Sequence, residues 1–487
     1  MKKFLFIIIL LNTSLVVVGQ SKQITLKEAI EIAKKQSPDY KTNINRNQGS
    51  YWRFRNYKAS FLPQFRIDAT LPEYNNSIRR ITNDNGQDTY VNQNQLIVNS
   101  SLGISQNIPY TGGRISVFSN IERIELFGLN DNIGYSVIPF SINYYQNSLL
   151  YNPFKWQREI EPLMFEESKR EFIETMEEIA VTTCNQYFSL LKAQMQLEIA
   201  KKNVANQDTL YQISLGRFKM GKIAENELLQ MELTLLNSKN TVTTNTIDLK
   251  RASQNLSRYL EIENENIILD VPEKLPLFDV DVKKALEEAQ SNRKAVVAFR
   301  RKRLEAEREL ARAKGTNKVE MSLNANFGIS NNANDFNTLF NNYNKQQNVS
   351  LTLSVPIFDW GVSKSRRKMA EADLELVNNN VEQEKQAFEQ EIYLHVLNWS
   401  NQRDFLYTAE KAKEVATKRY EISNKRYVLG KITITDLNIA LQEKDKAVLQ
   451  YLNSLEKFWR DYYILRQLTL YDFIKNEKIK VEDLIYD

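Results

Sequence analysis

The chain has 487 residues, among them 14 glycines and 10 prolines, and 26% of its residues are charged. So few chain-breaking residues are unusual in a loop-rich or β-rich protein and are typical of long, solvated helices. The formal net charge of +5 is too small to indicate a nucleic-acid-binding protein. Cys184 and His395 are the single residues of their types. One chain therefore cannot form an internal disulfide or a zinc site with several Cys or His ligands.

The sequence gives no indication of an enzyme. His395 has no partner constellation for nucleophilic catalysis, and no glycine-rich phosphate-binding motif is present. Both His395 and Cys184 lie within long helical patterns and are interpreted as packing residues. We therefore expect no catalytic residue, no cofactor and no metal.

Residues 1–20, MKKFLFIIILLNTSLVVVGQ, combine two lysines, an apolar run and a small residue near the end. This pattern predicts a secretory signal peptide and therefore export. No later apolar run reaches 18 residues, so no transmembrane helix is expected.

The rest of the sequence contains an internal duplication. Residues 420–432 repeat residues 211–223 at a distance of 209 positions, with seven of thirteen residues identical and Gly-Lys-Ile at the end of both copies. Such self-similarity indicates a repeated structural unit. We divide the chain into a first repeat (21–270), a proline-containing linker (271–280) and a second repeat (281–487) that ends in a C-terminal tail.

The sequence pattern of each repeat predicts a helix, then strands, a very long helix, a break and a second long helix. Residues 153–220 and 362–429 contain almost no glycine, and only Pro162 interrupts them. Apolar residues then recur every seven positions in the returning helices, a pattern typical of coiled-coil packing. The members of these rows are Leu228, Leu235, Val242, Leu249 and Leu256, and then Leu441, Val448, Leu455 and Tyr462. We therefore expect two long helical hairpins with tips near 221 and 430.

Apolar and polar residues alternate in several short segments between the helices. These segments are 64–72, 95–107, 114–124 and 136–146 in the first repeat, and 319–327 and 348–355 in the second. The alternation is typical of a half-buried soluble sheet and equally of membrane barrel strands. The Asn-rich segments 75–95 and 330–348 are interpreted as long polar loops. Residues of about 108–147 form an extra hairpin, and the sequence leaves open whether it joins the sheet or decorates it.

The order of these elements, with the segments VPIFDWGVSKSRRKMAEADLEL, RYVLGKITITDL and NIPYTGG, resembles the TolC-type outer-membrane efflux proteins over essentially the whole mature chain. The resemblance implies an α+β membrane protein whose duplicated helix–strand–strand–helix–helix halves form a long α-helical periplasmic barrel. It also implies a twelve-stranded transmembrane β-barrel shared by a homotrimer. The expected location is the outer membrane, with extension into the periplasm.

The resemblance further implies the exit duct of a tripartite efflux or type I secretion system. Its expected partners are a periplasmic adaptor protein, an inner-membrane transporter and outer-membrane lipid. The alternative is a secreted or periplasmic structural or adhesive coiled-coil protein, which would share the export signal, the heptads and the alternation.

Two groups of candidate site residues lie around the tips. Their identity in both repeats suggests an adaptor-docking surface made of Arg217, Gly221, Lys222, Arg426, Gly430 and Lys431. The resemblance places a gate or constriction at Glu227, Tyr427 and Asp436. Because Ile432 and Ile439 replace a latching arginine and a second acidic residue of that family, we expect a Tyr427–Glu227 hydrogen bond instead of a latch salt bridge. In the second repeat, Thr433 and Asp436 also predict a capping box.

Overall fold

The computed structural model describes residues 22–127, 132–263, 267–274, 278–317 and 319–480. The predicted signal peptide lies outside these ranges. The chain forms two compact units. A helical unit contains residues up to 46, 170–293 and 389 onwards, and a sheet unit contains residues 47–169 and 294–388.

The main elements occur in the same order in both repeats, apart from one additional pair of strands in the first. The first repeat contains β1 (Lys22–Ile24), α1 (Leu26–Gln36), α2 (Pro38–Ala59), β2 (Gln64–Thr82), β3 (Asp88–Ile108), β4 (Gly113–Phe127), β5 (Asn132–Gln146), α3 (Pro153–Lys219), α4 (Glu225–Leu260) and β6 (Ile267–Leu269). The second contains α5 (Val282–Asn292), α6 (Lys294–Thr316), β7 (Glu320–Ala333), a 3₁₀ turn (Phe336–Thr338), β8 (Asn344–Ser354), α7 (Val362–Ser400), α8 (Gln402–Val428), α9 (Ile434–Thr469), β9 (Tyr471–Asp472) and β10 (Glu477–Lys478). Helices α1 and α5 both have 11 residues, and α4 and α9 both have 36.

The sheet unit is built on six antiparallel strands. They are hydrogen-bonded in the order β2-β3-β4-β5-β7-β8, so that β2 and β8 are the edge strands. The extra hairpin expected at about 108–147 corresponds to β4 and β5 and lies between β3 and β7. This hairpin therefore extends the sheet, which answers the question that the sequence leaves open.

The strand register separates a polar face from an apolar face. Residues paired directly across neighbouring strands share one side of a sheet. One row across all six strands is polar, and it consists of Gln64, Ser105, Ser116, Asn143, Asn326 and Asn348. The next row, on the opposite face, is mostly apolar and consists of Phe65, Ile104, Val117, Ile142, Phe327 and Gln347. On the edge strands the apolar side chains are uncovered, since Phe65 is 74% exposed and Leu351 is 59% exposed.

Of the two Asn-rich segments predicted as long loops, 75–95 is largely strand and 330–348 is strand at both of its ends. Within 75–95, β2 and β3 pair from Asn76–Asn94 to Thr82–Asp88. Within 330–348, β7 continues to Ala333 and β8 begins at Asn344. The loop prediction is wrong for these paired residues and right for 334–343, which contain no strand. Main-chain pairing continues where the alternation of apolar and polar residues fades, and polar side chains on both faces hide this pairing in the sequence.

The long helices follow the prediction with one difference. Helix α3 covers 67 residues and includes Pro162, whereas the helix expected over 362–429 is divided at Asn401 into α7 and α8. The Asn401 side chain donates to the Leu397 carbonyl at 2.9 Å, and Ser400 Oγ donates to the same carbonyl at 2.7 Å. Side chains that bond nearby carbonyls compete with the helical ladder, and the helix is interrupted at this point.

A buried ion-pair network joins three helices of the helical unit. The Glu177 side chain is 1% exposed and accepts from Lys34 Nζ at 2.6 Å and from Arg466 Nε at 2.7 Å. Arg466 also bonds Asp472 and donates to the Tyr462 hydroxyl. Burial alone would raise the pKa of Glu177, but Lys34 and Arg466 outweigh it and hold that pKa below its usual value. The carboxylate is therefore ionised at neutral pH.

Cys184 and His395 have structural surroundings. Cys184 is fully buried, and burial raises the pKa of its thiol. His395 Nε2 lies 2.8 Å from the backbone carbonyl oxygen of Asp461. Over the described ranges, no three His, Cys, Asp or Glu side chains come together as a group able to hold a metal ion.

None of the helices in the described part of the chain is both long enough and apolar enough to cross a membrane.

Candidate functional site

Both helical hairpins turn through the same backbone motif. Gly221 and Gly430 have positive φ angles of 65° and 72°, a conformation that glycine adopts without the clash of a Cβ atom. In each tip the lysine after the glycine donates its amide to the carbonyl five residues earlier, which is the Schellman helix stop. The two bonds are Lys222 N–H to Arg217 O and Lys431 N–H to Arg426 O, both 2.9 Å. The repeated Gly-Lys-Ile is therefore a repeated helix end.

The returning helices begin with the same backbone but with different caps. Ala224 precedes α4 with φ −80° and ψ 158°, and Thr433 precedes α9 with φ −78° and ψ 162°. Thr433 forms the predicted capping box: its Oγ1 accepts from the Asp436 amide at 3.2 Å, and the Asp436 carboxylate accepts from the Thr433 amide at 3.1 Å. Ala224 offers no side-chain cap, so the first tip lacks these two bonds.

The two candidate gate carboxylates lie in the first turns of the returning helices. Glu227 is in α4 and Asp436 is in α9, and both are exposed. Hydrogen bonds from Thr433 hold the pKa of Asp436 below its usual range, with a smaller contribution from the charge of Arg426. Asp436 is therefore anionic at neutral pH and open to solvent.

Tyr427 is buried between the two hairpins. It is 6% exposed and packs in a cluster with Leu210 and Leu437, and its hydroxyl lies 3.0 Å from Ser214 Oγ. The expected Tyr427–Glu227 hydrogen bond is not formed among the described residues, because the Tyr427 ring points into this cluster. The structure thus gives Tyr427 a role in joining α8 to α3.

Arg217 crosses from the first hairpin to the second. Its Nη2 donates to Val428 O at 2.9 Å and to Tyr427 O at 3.3 Å, and its guanidinium carbon lies 5.4 Å from the centre of the Tyr427 ring. A cation at a helix C-terminus satisfies carbonyls that the helix leaves unpaired. Arg217 is therefore engaged within the chain, whereas its repeat counterpart Arg426 is exposed.

The solvent-facing tip surface contains residues that the sequence analysis did not identify. Met220 is 63% exposed and Leu429 is 67% exposed, and each directly precedes a tip glycine. With the exposed Lys222 and Lys431 they form what we call the tip surface. The missed signal was an apolar residue at the same position in both copies. Apolar side chains beside cations suit a protein partner with apolar and acidic groups.

Residues 285–469 match the family described as outer membrane efflux protein. No curated protein matches the chain.

Several solved outer membrane channels have a similar fold. The Campylobacter jejuni CmeC outer membrane channel is 16% identical, with 91% of this chain and 85% of that chain covered and a TM-score of 0.65. The outer membrane protein VceC from Vibrio cholerae is 14% identical, with 93% of this chain and 97% of that chain covered and a TM-score of 0.64. The open state of the Neisseria gonorrhoeae MtrE outer membrane channel is 14% identical, with 91% of this chain and 88% of that chain covered and a TM-score of 0.57.

These likenesses confirm the predicted fold class, a duplicated α+β architecture with long helices and a sheet. They extend over nine tenths of the chain, whereas the family match lies within the second repeat. Residues 285–469 thus match the outer membrane efflux protein family, and the chain has the fold of these outer membrane channels.

Proposed function

We propose that three copies of the chain form an outer-membrane channel that extends into the periplasm and serves as the exit duct of a tripartite efflux or type I secretion system. The channel would passively conduct substrates delivered by a periplasmic adaptor protein and an inner-membrane transporter. The sheet is the main support for this proposal. Its polar row crosses all six strands and its neighbouring row is mostly apolar, as barrel strands between lipid and a wet lumen require.

The edge strands indicate how copies would join. Strand β2 of one copy would pair with β8 of the next, and the even number of strands per chain keeps every pair antiparallel. Three copies of a six-stranded sheet give eighteen strands, instead of the twelve that the family resemblance implies. The inserted β4–β5 hairpin would therefore widen the barrel, since barrel diameter grows with strand number.

The tips support the docking part of the proposal. Each chain carries two copies of one Schellman turn, with Met220 and Lys222 at the first and Leu429 and Lys431 at the second. Three chains would present six such tips. A ring of six matched surfaces suits an adaptor that also forms a sixfold ring.

The exposed carboxylates support a charged constriction. In a trimer, Glu227 and Asp436 would each form a ring of three anions, which attracts cations and repels anions in a narrow pore. We place Tyr427 in this constriction as the residue that holds α8 against α3, since its hydroxyl is bonded to Ser214, and not as a residue that lines the pore.

Cell fractionation tests the channel proposal. We expect the protein in the outer-membrane fraction as a detergent-dependent trimer that becomes monomeric on heating. Recovery as a soluble periplasmic or extracellular monomer would contradict the channel and favour the structural coiled-coil alternative.

Valine substitutions at the tips test docking. A β-branched residue is strained at the positive φ angles of Gly221 and Gly430. The double change Gly221→Val and Gly430→Val should abolish export and adaptor cross-linking, while the trimer still forms. Gly216→Val is the matched control, because Gly216 is helical and an added Cβ there meets open space. Unchanged adaptor cross-linking in the double variant would contradict the docking role.

A further inference from the structure

The duplication gives each hairpin a copy of the residues that join the two hairpins of one chain. The contact within the chain uses one copy of the donor residues and one copy of the acceptor residues, which is half of those available. The first hairpin contributes Arg217 and Ser214, which bond Tyr427 and Val428 of the second. A shift of 209 positions gives the unused half, which consists of Arg426 and Ser423 on the second hairpin and Phe218 and Lys219 on the first. The second hairpin therefore carries its own copy of the donor side, and the first hairpin carries its own copy of the acceptor side.

The unused half is exposed where the used half is covered. Phe218 is 37% exposed although its counterpart Tyr427 is 6% exposed. Arg426 is exposed, whereas Arg217 is partly buried. Since the backbones of the two tips are alike, this difference arises because no further hairpin in the described part of the chain lies beside the unused half.

We propose that Arg426 binds the C-terminus of α3 in a neighbouring copy of the chain. Its guanidinium donates to the carbonyls of Phe218 and Lys219 of the partner subunit and lies over the ring of that Phe218. This interaction surface rests on the trimer proposed above. The acceptor site on α3 is incomplete without the arginine that the partner copy supplies.

The chemistry of the contact follows from the helix end. The Phe218 carbonyl accepts from the Gly221 amide at 2.8 Å, as the Tyr427 carbonyl accepts from the Gly430 amide at 2.8 Å, and each carbonyl has a second lone pair that a guanidinium can use. A cation at this helix end is also stabilised by the helix dipole. Donor and acceptor sides lie on different hairpins of each chain, so the interface runs head to tail. Head-to-tail interfaces generate closed rings when the rotation closes. Contacts within and between chains would then alternate around the ring of tips.

The proposed contact between copies has one hydrogen bond fewer than the contact between the two hairpins of one chain. Tyr427 bonds Ser214 through its hydroxyl, whereas Phe218 has no hydroxyl to offer Ser423 of the partner subunit. The contact between copies is therefore the weaker of the two. Phe218→Tyr should restore the missing bond and raise the temperature at which the trimer dissociates.

Cysteine cross-linking tests the assignment in the full-length protein in its membrane. Native Cys184 is fully buried and stays unmodified. The pair Arg426→Cys and Lys219→Cys, treated with a short bis-maleimide, should convert most of the monomer band on a denaturing gel to dimer and trimer. The equivalent pair Arg217→Cys and Val428→Cys should link within one chain and stay at monomer mass.

The control pair is Lys425→Cys with Lys219→Cys. Lys425 is the counterpart of Gly216, where an added Cβ has no neighbouring atom within 4 Å, so this pair should give much less linked dimer and trimer than Arg426→Cys with Lys219→Cys. If Arg426→Cys with Lys219→Cys stays monomeric on the denaturing gel while the native protein is trimeric, the proposed Arg426 contact between copies is wrong and the channel proposal stands. If the native protein is monomeric, both proposals fail.

A second measurement follows trimer stability without cross-linking. Arg426→Ala should lower the dissociation temperature of the trimer, Arg426→Lys should recover part of the loss, and Lys425→Ala should leave it unchanged. Equal dissociation temperatures in all three variants would overturn the Arg426 contact between copies. Within the described part of the chain, Arg426 is exposed and acts on Asp436 through its charge.

Discussion

Single residues of the two repeats have diverged in their surroundings more than in their identity. Arg217 bonds carbonyls of the neighbouring hairpin, while Arg426 at the same repeat position is exposed. Tyr427 is buried with a bonded hydroxyl, while the ring of Phe218 is partly exposed. Burial and pairing therefore decide what each residue contributes to stability.

The Glu177 network gives the clearest stability prediction at this scale. Among the described residues, Arg466→Met leaves Lys34 as the remaining ion-pair partner of the buried carboxylate, and removing one partner of a buried ion pair costs about 3–5 kcal/mol. Denaturant unfolding of the detergent-solubilised protein measures the loss. The surface pair of Lys202 with Glu198, whose side chains are 70% and 56% exposed, supplies the control, since Glu198→Gln should change stability by less than about 1 kcal/mol. Equal effects of the two changes would contradict the account.

The same network predicts a pH dependence. The pKa of Glu177 is lower in the folded protein than in the unfolded chain, because Lys34 and Arg466 outweigh the effect of burial. The contribution is thus complete above the ordinary carboxyl pKa and is lost as the pH falls through the lower native pKa. The stability difference between the native protein and Glu177→Gln should shrink in that acidic range. A difference that stays constant there would contradict the assignment.

At the scale of elements, the two returning helices differ mainly in their caps. Thr433→Ala removes the capping box of α9 and should cost about 0.5–2 kcal/mol. Ala224→Thr adds a capping side chain to α4, which has none, and should stabilise that helix start. Hydrogen exchange of the first-turn amides measures both. We expect faster exchange in α9 with Thr433→Ala and slower exchange in α4 with Ala224→Thr. Unchanged exchange in both variants would contradict a stabilising role of the caps.

The two faces of the sheet predict unequal tolerance of charge. Leu323 pairs with Leu351 on the apolar face, and Asn324 accepts a hydrogen bond from Asn143 on the polar face. An arginine facing lipid at mid-bilayer costs about 2–4 kcal/mol. Leu323→Arg should therefore block membrane insertion far more than Asn324→Arg, as measured by the amount of trimer in the outer membrane. Equal tolerance would indicate a soluble sheet.

The elements that the sequence predicts well are those whose signal is local. Helix ends at Gly221 and Gly430 and the cap at Thr433 depend on a few neighbouring residues, and all three are present. The full length of β2 and β3 was missed because the residues at this end of the hairpin are polar on both faces, so that the main-chain pairing from Asn76–Asn94 to Thr82–Asp88 leaves no alternation in the sequence. The surroundings of Tyr427 were missed because they depend on which hairpin lies beside it, and a sequence repeat does not specify that.

At the scale of the whole molecule, the duplication provides two tips, two candidate gate carboxylates and the two halves of the proposed interface in each chain. One half of that interface is used within the chain. The edge strands β2 and β8 present a second place for copies to join. Both features lead to the same account, in which a ring of three chains surrounds a pore with Glu227 and Asp436 at its narrow end.

Single-channel recording of the purified trimer in planar lipid bilayers tests this central claim most directly. We expect discrete, cation-selective conductance steps, and we expect cation selectivity to fall when Glu227→Gln and Asp436→Asn are combined, because both anionic rings are then neutral. Lys425→Ala, an exposed change outside the rings, should leave selectivity unchanged. A folded, membrane-inserted trimer that shows no conductance steps would contradict the channel, and unaltered selectivity in the double variant would contradict the gate.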